Sequence, residues 1–200
     1  MAGKSIRPTG QGTPSRAGHS TPLELDWIAA AREMLVEGGV AAVQINPLAQ
    51  RLGVTRGGFY WRFKNRQDLL DHLLADWESS NTYAFLKALE GGGAPKTRFL
   101  RLVRMFIDER EFDPRLEGSV RQWGSIDPKV RARVSENDLR RIGALERLFL
   151  EAAQAPDEAM IRARIVYFHQ VGYYALGFDE SKALRRRLAP LYDRILTGLD

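Results

Sequence analysis

Residues 48–70, LAQRLGVTRGGFYWRFKNRQDLL, constrain the fold more than any other stretch of the chain. Leu48, Ala49 and Leu52 make a short apolar face at helical spacing, and Gly53 supplies a turn that needs no side-chain clearance. Thr55 is suited to cap a following helix that runs through Arg56, Gly57, Gly58, Phe59, Tyr60 and Trp61. Two short helices joined by such a turn form a helix-turn-helix, whose second helix enters the major groove of DNA. Charge agrees with this geometry. Arg51, Arg56, Arg62, Lys64 and Arg66 fall in a run with no Asp or Glu, a pattern suited to a phosphate backbone.

Individual residues divide between base reading and positioning. Arg56, in the first turn of the second helix, can reach guanine O6 and N7 or hold a phosphate. Thr55 can give its hydroxyl to the helix cap, to a phosphate, or to both. Gly57 and Gly58 each cost about 1 kcal/mol of helix propensity relative to Ala. Close approach of backbone N–H groups to DNA is one compensation, and a kink or tight helix contact is the other. Phe59 and Phe63, four apart, are core positions. Lys64, Asn65 and Arg66 open the next helix, where a Lys side chain and N-terminal amides can meet a phosphate.

The block GVTRGGFYWRFKNRQDLL, preceded by LAQRL and WIAAAREMLVEGG, resembles the N-terminal domain of the TetR family of one-component transcriptional regulators over about residues 25–75. Ile28, Ala31, Leu35 and Gly39 match its first helix, Leu48, Ala49 and Leu52 its second, and Gly53 with Val54 its turn. Phe59, Tyr60, Trp61 and Phe63 match the aromatic signature, and Arg66 the basic residue opening the fourth helix. The resemblance implies a phosphate contact for Tyr60 and a place near the DNA surface for Trp61. Gln44 stands where the family usually has Ser or Thr, so Asn46 followed by Pro47 is expected to start the second helix late, with Gln44 or Asn46 donating to a phosphate or facing solvent as a cap. Arg62 replaces a common His and adds a fixed charge for phosphate or for a carboxylate.

The remaining sequence sets limits. Two hundred residues can form one domain or a small domain joined to a larger one, and 28% charged with 44% hydrophobic residues is the balance of a globular chain. The formal charge of +5 is compatible with nucleic-acid binding. With no cysteine, disulfides, thiol catalysis and thiolate metal sites are excluded. Residues 1–20, rich in Gly and Pro with Lys4, Arg7 and Arg16, read as a disordered basic arm, either a plain terminus or one that follows DNA. A cytoplasmic location is expected, since no signal-peptide run or apolar stretch long enough for a membrane span is present. Among His19, His72 and His169, only His72, beside Asp68, Asp71 and Asp76, suggests a metal pair, and its spacing from Asp68 equally describes a helix-surface pair. No catalytic motif, metal site or cofactor is expected.

Beyond residue 67 the periodicity is helical throughout. The first helix is expected to begin after Thr21 and Pro22 and to run to Glu37. A long helix carrying Leu69, Leu73, Trp77, Tyr83 and Leu86 ends at Gly91–Gly93, and further helices cover about 96–110, one from Pro114, one from Pro128 with Val134, Leu139 and Leu145, then 157–176 and 181–196. The fold class is all-α: a helix-turn-helix domain over 21–67 and a helical body over 68–200. The resemblance assigns the last two helices to a homodimer interface and the body to a small-molecule effector. Phe106, Trp123, Tyr167, His169 and Tyr173 are the candidate pocket residues, against an ordinary core role. The expected function is that of a sequence-specific regulator on a palindromic double-stranded DNA operator, a repressor released by its effector. The alternative is a dimeric ligand sensor or protein-interaction module without operator binding.

Overall fold

The computed structural model describes residues 24–198, and the expected basic arm over 1–20 lies outside them. The described chain is helical, with ten α-helices and one π-helical turn. Helix α1 (Glu24–Ala42) turns Trp27, Ala31, Met34 and Leu35 inward. Gly39 interrupts it at φ 70°, where an L side chain is strained, and one further turn continues past the expected end. Helix α2 (Ile45–Arg51) begins at Ile45, with Gln44 at the cap position. The late start expected at Asn46 is therefore corrected. Pro47 fits inside the first turn because the N–H it lacks has no intrahelical acceptor there, and Leu48 N–H already bonds to the Gln44 carbonyl at 3.0 Å.

Gly53, at φ 66°, closes α2 in a Schellman arrangement: Val54 N–H reaches the Ala49 carbonyl at 3.0 Å and Gly53 N–H that of Gln50 at 3.1 Å. Thr55 then precedes α3 (Arg56–Tyr60) at the cap position, without a side-chain cap bond. Asn65 caps α4 (Arg66–Trp77) by accepting Asp68 N–H at 2.9 Å, while the Asp68 carboxylate accepts Lys64 N–H at 2.8 Å.

The long helix expected through Leu86 is divided by a π turn (Glu78–Thr82) before α5 (Tyr83–Glu90). The added residue rotates α5 relative to α4, burying Asn81 and Thr82 and leaving Tyr83 exposed, which corrects its expected inward place. The body continues with α6 (Pro95–Asp108), α7 (Pro114–Ile126), α8 (Pro128–Glu151), α9 (Pro156–Leu176) and α10 (Lys182–Thr197). Pro begins each of α6 to α9, and Asp113 and Asp127 cap α7 and α8 through their carboxylates. On α8 the inward positions are Val130, Val134, Asn137, Arg141, Leu145 and Leu148. Leu139 lies on the opposite face and is 68% exposed, contrary to expectation.

Two apolar cores result. One joins α1 to α4 with Leu116, Val120 and Trp123 of α7 and Val130 and Val134 of α8. The other fills the body between α5, α6, α8 and α9. The boundary expected at residue 67 falls at the start of α4, whose Leu69, Leu70, Leu73, Leu74 and Trp77 belong to the first core. No helix among the described residues is long and apolar enough to cross a membrane.

Candidate nucleic-acid interface and body cavity

Phe59 and Phe63 fix the rotation of α3. Both are buried, their rings 5.3 Å apart, and Phe59 meets Trp27 edge-on at 5.6 Å. Thr55, Arg56, Gly57, Tyr60, Trp61, Arg62 and Lys64 are consequently exposed together. Trp61 is 87% exposed, an unusual position for a large apolar ring in a protein surface without a partner. Arg56 lies over the Tyr60 ring at 5.6 Å and donates to its hydroxyl at 3.0 Å. Gly57 and Gly58 do not have positive φ, and a Cβ would meet only Thr55 Oγ1 at 3.6 Å or the Trp27 ring at 3.8 Å. Neither backbone strain nor tight internal packing thus requires these glycines.

The cations differ in their engagement. Arg51 faces Glu33 and Glu37 of α1, at 3.4 and 2.5 Å, so the run that is free of acids in sequence has acids beside it in space. Arg66 donates through Nε to the Val43 carbonyl at 2.6 Å and through Nη2 to that of Val40 at 2.5 Å, tying α4 to the end of α1. Arg62 and Lys64 side chains have no partner among the described residues. Gln44 donates to the Ala41 carbonyl at 3.0 Å, and Asn46 is exposed beside it. His72 contacts the Asp68 carbonyl at 2.7 Å and the edge of Phe63, and no group of metal-binding side chains is found among the described residues.

Phe85, Phe106, Phe112, Tyr167 and Tyr174 line a partly open cavity of about 270 Å³ in the body. Its polar wall is Glu117, Arg121, Arg141 and Gln170. A second, smaller space of about 100 Å³, between α6, α9 and α10, is lined by Phe106, His169, Gln170, Tyr173 and Tyr192. Of the expected pocket residues, Phe106 lines both spaces, Tyr167 the larger, and His169 and Tyr173 the smaller. Burial pushes the His169 pKa down, and its ring stacks on Tyr192 at 5.0 Å. Trp123 lines neither and is packed in the core shared by α1–α4 and α7, which corrects its assignment to the pocket.

The cavity's polar wall belongs to a buried network absent from the sequence-derived candidates. Glu117 accepts from Trp77 Nε1 at 2.8 Å, Asn81 Nδ2 at 3.0 Å, Arg141 Nη1 at 2.8 Å and Arg121 Nε at 3.1 Å. Arg141, 2% exposed, also donates to Thr82 Oγ1 and Tyr167 OH. Arg121 forms a two-toothed pair with Asp138 at 3.0 and 2.6 Å, and Tyr167 OH donates to the same carboxylate at 2.6 Å. Burial pushes the Glu117 pKa up, but Arg141, Arg121 and the Asn81 bond outweigh it and hold the carboxyl at about 2. A signal for this network exists in the sequence. Arg141 occupies the inward stripe of α8 between Val134 and Leu145, where a charged side chain needs buried partners.

Ile161, Ile165 and Phe168 of α9, with Leu191 and Ile195 of α10, are exposed. This is an unpartnered apolar face on the two helices where dimerisation is expected.

Residues 28–73 match the family model for bacterial regulatory proteins of the tetR family. Among solved structures, the MbdR regulator from Azoarcus sp. CIB is similar with a TM-score of 0.66 at 17% identity, covering 88% of this chain and 97% of that one. The fatty acid degradation regulator FadR from Bacillus halodurans gives 0.61 at 18%, covering 92% and 98%. A transcriptional regulator of the TetR/AcrR family from Thermobifida fusca gives 0.61 at 16%, covering 87% and 96%. At these identities the likeness is one of fold.

Proposed function

From a chain that carries the TetR-family N-terminal domain and has the TetR/AcrR fold through the rest of its described length, we propose a sequence-specific DNA-binding regulator of transcription that is dimeric through α9 and α10 and represses until a small molecule occupies the body cavity. The observation that carries the DNA reading is the single face of α3 and the α3–α4 turn on which Arg56, Tyr60, Trp61, Arg62 and Lys64 stand exposed over the Phe59–Phe63 anchor. Arg56 reads a base, leaving Tyr60 when DNA arrives. Thr55, Tyr60, Arg62, Lys64, Gln44 and Asn46 contact the backbone, and the open Gly57–Gly58 surface lets it come close. Arg66 acts from behind by holding the α1–α2 connection in place. Dimerisation covers the apolar α9–α10 face and sets two reading heads on a two-fold symmetric operator.

Effector control is supported by the position of Glu117. Its carboxylate lines the cavity and accepts the indole N–H of Trp77, which ends the helix carrying the head. A ligand that binds one arrangement of this joint better than the other shifts DNA affinity reciprocally. Selection from a random duplex library with the full-length protein tests the reading. Enrichment of a two-fold symmetric motif is the expected result. A folded dimer that enriches no motif would leave a helical ligand sensor or protein-interaction module instead.

A further inference from the structure

Of the residues lining the larger cavity, only Gly118 of α7 and Ala175 near the end of α9 are exposed, so its opening lies between these two helices. Gly118 and Tyr174 also line a polar groove on the outside, which runs from α7 to the α9–α10 connection. Helical phase explains the double role. Glu117 and Arg121 turn to the cavity, Arg115, Ser119 and Gln122 turn to the groove, and Gly118 stands on the edge between them. Nothing in the fold calls for glycine at this edge: it lies within α7, its φ is not positive, and a Cβ there would meet no atom within 4 Å. Glycine is the poorest helix former after proline, so what its missing side chain provides is a passage. The other side of the passage is fixed, because Tyr174 donates its hydroxyl to the Phe106 carbonyl at 3.1 Å and stacks on Phe112 at 5.7 Å.

The two spaces differ in chemistry. In the cavity, Glu117, Arg121 and Arg141 are matched to one another and to Asp138, which leaves the aromatic rings to meet a ligand. The groove carries Glu109, Asp179 and Glu180 against Arg115, Lys182 and Arg185, three charges of each sign, with Arg185 paired to Glu109 at 2.6 Å. This balance attracts neither anion nor cation and suits an uncharged group that hydrogen-bonds. We propose that the effector is an amphiphile longer than the cavity: a compact apolar ring fills the aromatic interior, and an uncharged polar tail leaves over Gly118 into the groove. This rests on the reading of the body as an effector domain and adds the shape and chemical class.

Two probes with the same inner end test it, 3-phenylpropan-1-ol and its tetraethylene glycol ether. The sequence has no cysteine, so Gly118→Cys places a single thiol at the passage, and Ser125→Cys places one on the exposed surface of α7 outside the groove. Calorimetry on the full-length parent without DNA should show the ether binding no more weakly than the alcohol. With the ether at about ten times its Kd, alkylation of the thiol at position 118 by iodoacetamide should slow about tenfold, as only free protein reacts. The alcohol at the same saturation should leave that rate nearly unchanged, and neither probe should protect the thiol at position 125. Binding of the alcohol but not the ether would overturn the amphiphile. A bound ether that leaves the thiol at 118 reactive, or equal protection at 125, would overturn the passage, and failure of both probes to bind would overturn the ligand class. None of these readouts involves DNA. Loss of operator selection would sink the regulator reading while leaving the passage standing, and the converse holds.

Discussion

Replacing Glu117 by glutamine removes the charge from a carboxylate that four donor side chains surround, while leaving its shape nearly unchanged. Arg141 is then left buried without its main counter-charge. Breaking a buried pair from one side costs about 3–5 kcal/mol. The folded-state acidity of Glu117 leads to a similar magnitude: lowering a carboxyl from 4.5 to about 2 corresponds to about 3 kcal/mol of stabilisation. Because the folded pKa is depressed, this contribution is fully present above about pH 4.5 and is lost as pH falls from there toward 2. Urea denaturation at fixed protein concentration should therefore show Glu117→Gln less stable than the parent by about 3 kcal/mol at pH 7, with the gap narrowing below pH 4.5 as the parent's carboxyl takes up its proton. The double variant Glu117→Gln, Arg141→Met, which removes the orphaned charge as well, should recover part of the loss. A gap below about 1 kcal/mol at neutral pH, or one that stays constant down to pH 3, would refute the account of the network as a charge-matched pair.

Other substitutions address the reading head and the apolar face. Arg56→Ala should flatten preference at one or two operator positions, costing about 1–3 kcal/mol there, whereas Lys64→Ala should weaken all duplexes alike and reduce the salt slope by about 1; anisotropy titrations over an operator mutant series separate the two. Arg66→Met should lower the stability of the DNA-free protein by about 2 kcal/mol, because two charge-assisted bonds to the Val40 and Val43 carbonyls are lost. Unchanged thermal unfolding would return Arg66 to a purely phosphate-binding role. Phe168→Glu, on the exposed face of α9, should convert a dimer to a monomer in light scattering, and an unaffected mass would move the interface elsewhere.

The sequence is informative where structure is set by neighbours a few residues away. Gly53 at its turn, Thr55 and Asn65 at the cap positions, and the Phe59–Phe63 anchor are all local, and so are the proline starts of α7 and α8. What escapes it depends on partners distant in sequence. The acids facing Arg51 come from α1, and the carbonyls held by Arg66 belong to the α1–α2 connection. Glu117 gathers donors from α4, the π turn, α7 and α8, none of which is adjacent to it along the chain outside α7. Periodicity misplaces Leu139 and Tyr83 for a related reason. An apolar residue in a helix is not inward unless it keeps the helix's phase, and the π turn changes that phase just before Tyr83. Trp123 resembles a pocket aromatic in sequence although its partners are in the head, a pairing that no periodicity reveals.

The core that Trp123 joins has a consequence for anyone recombining such proteins. Leu116, Val120 and Trp123 of α7 pack in the same cluster as Trp27, Leu35 and Trp77, so the reading head borrows one wall from the body. A chimera cut within α4 would keep the exposed residues of α3 and lose that wall, exposing apolar surface on both fragments. Transplanting operator specificity onto another body thus requires carrying over the inward face of α7, or restricting the exchange to the exposed positions of α3. On the proposed regulator reading, the inheritable unit of DNA specificity is a surface, and the unit of folding is larger than the segment that bears it.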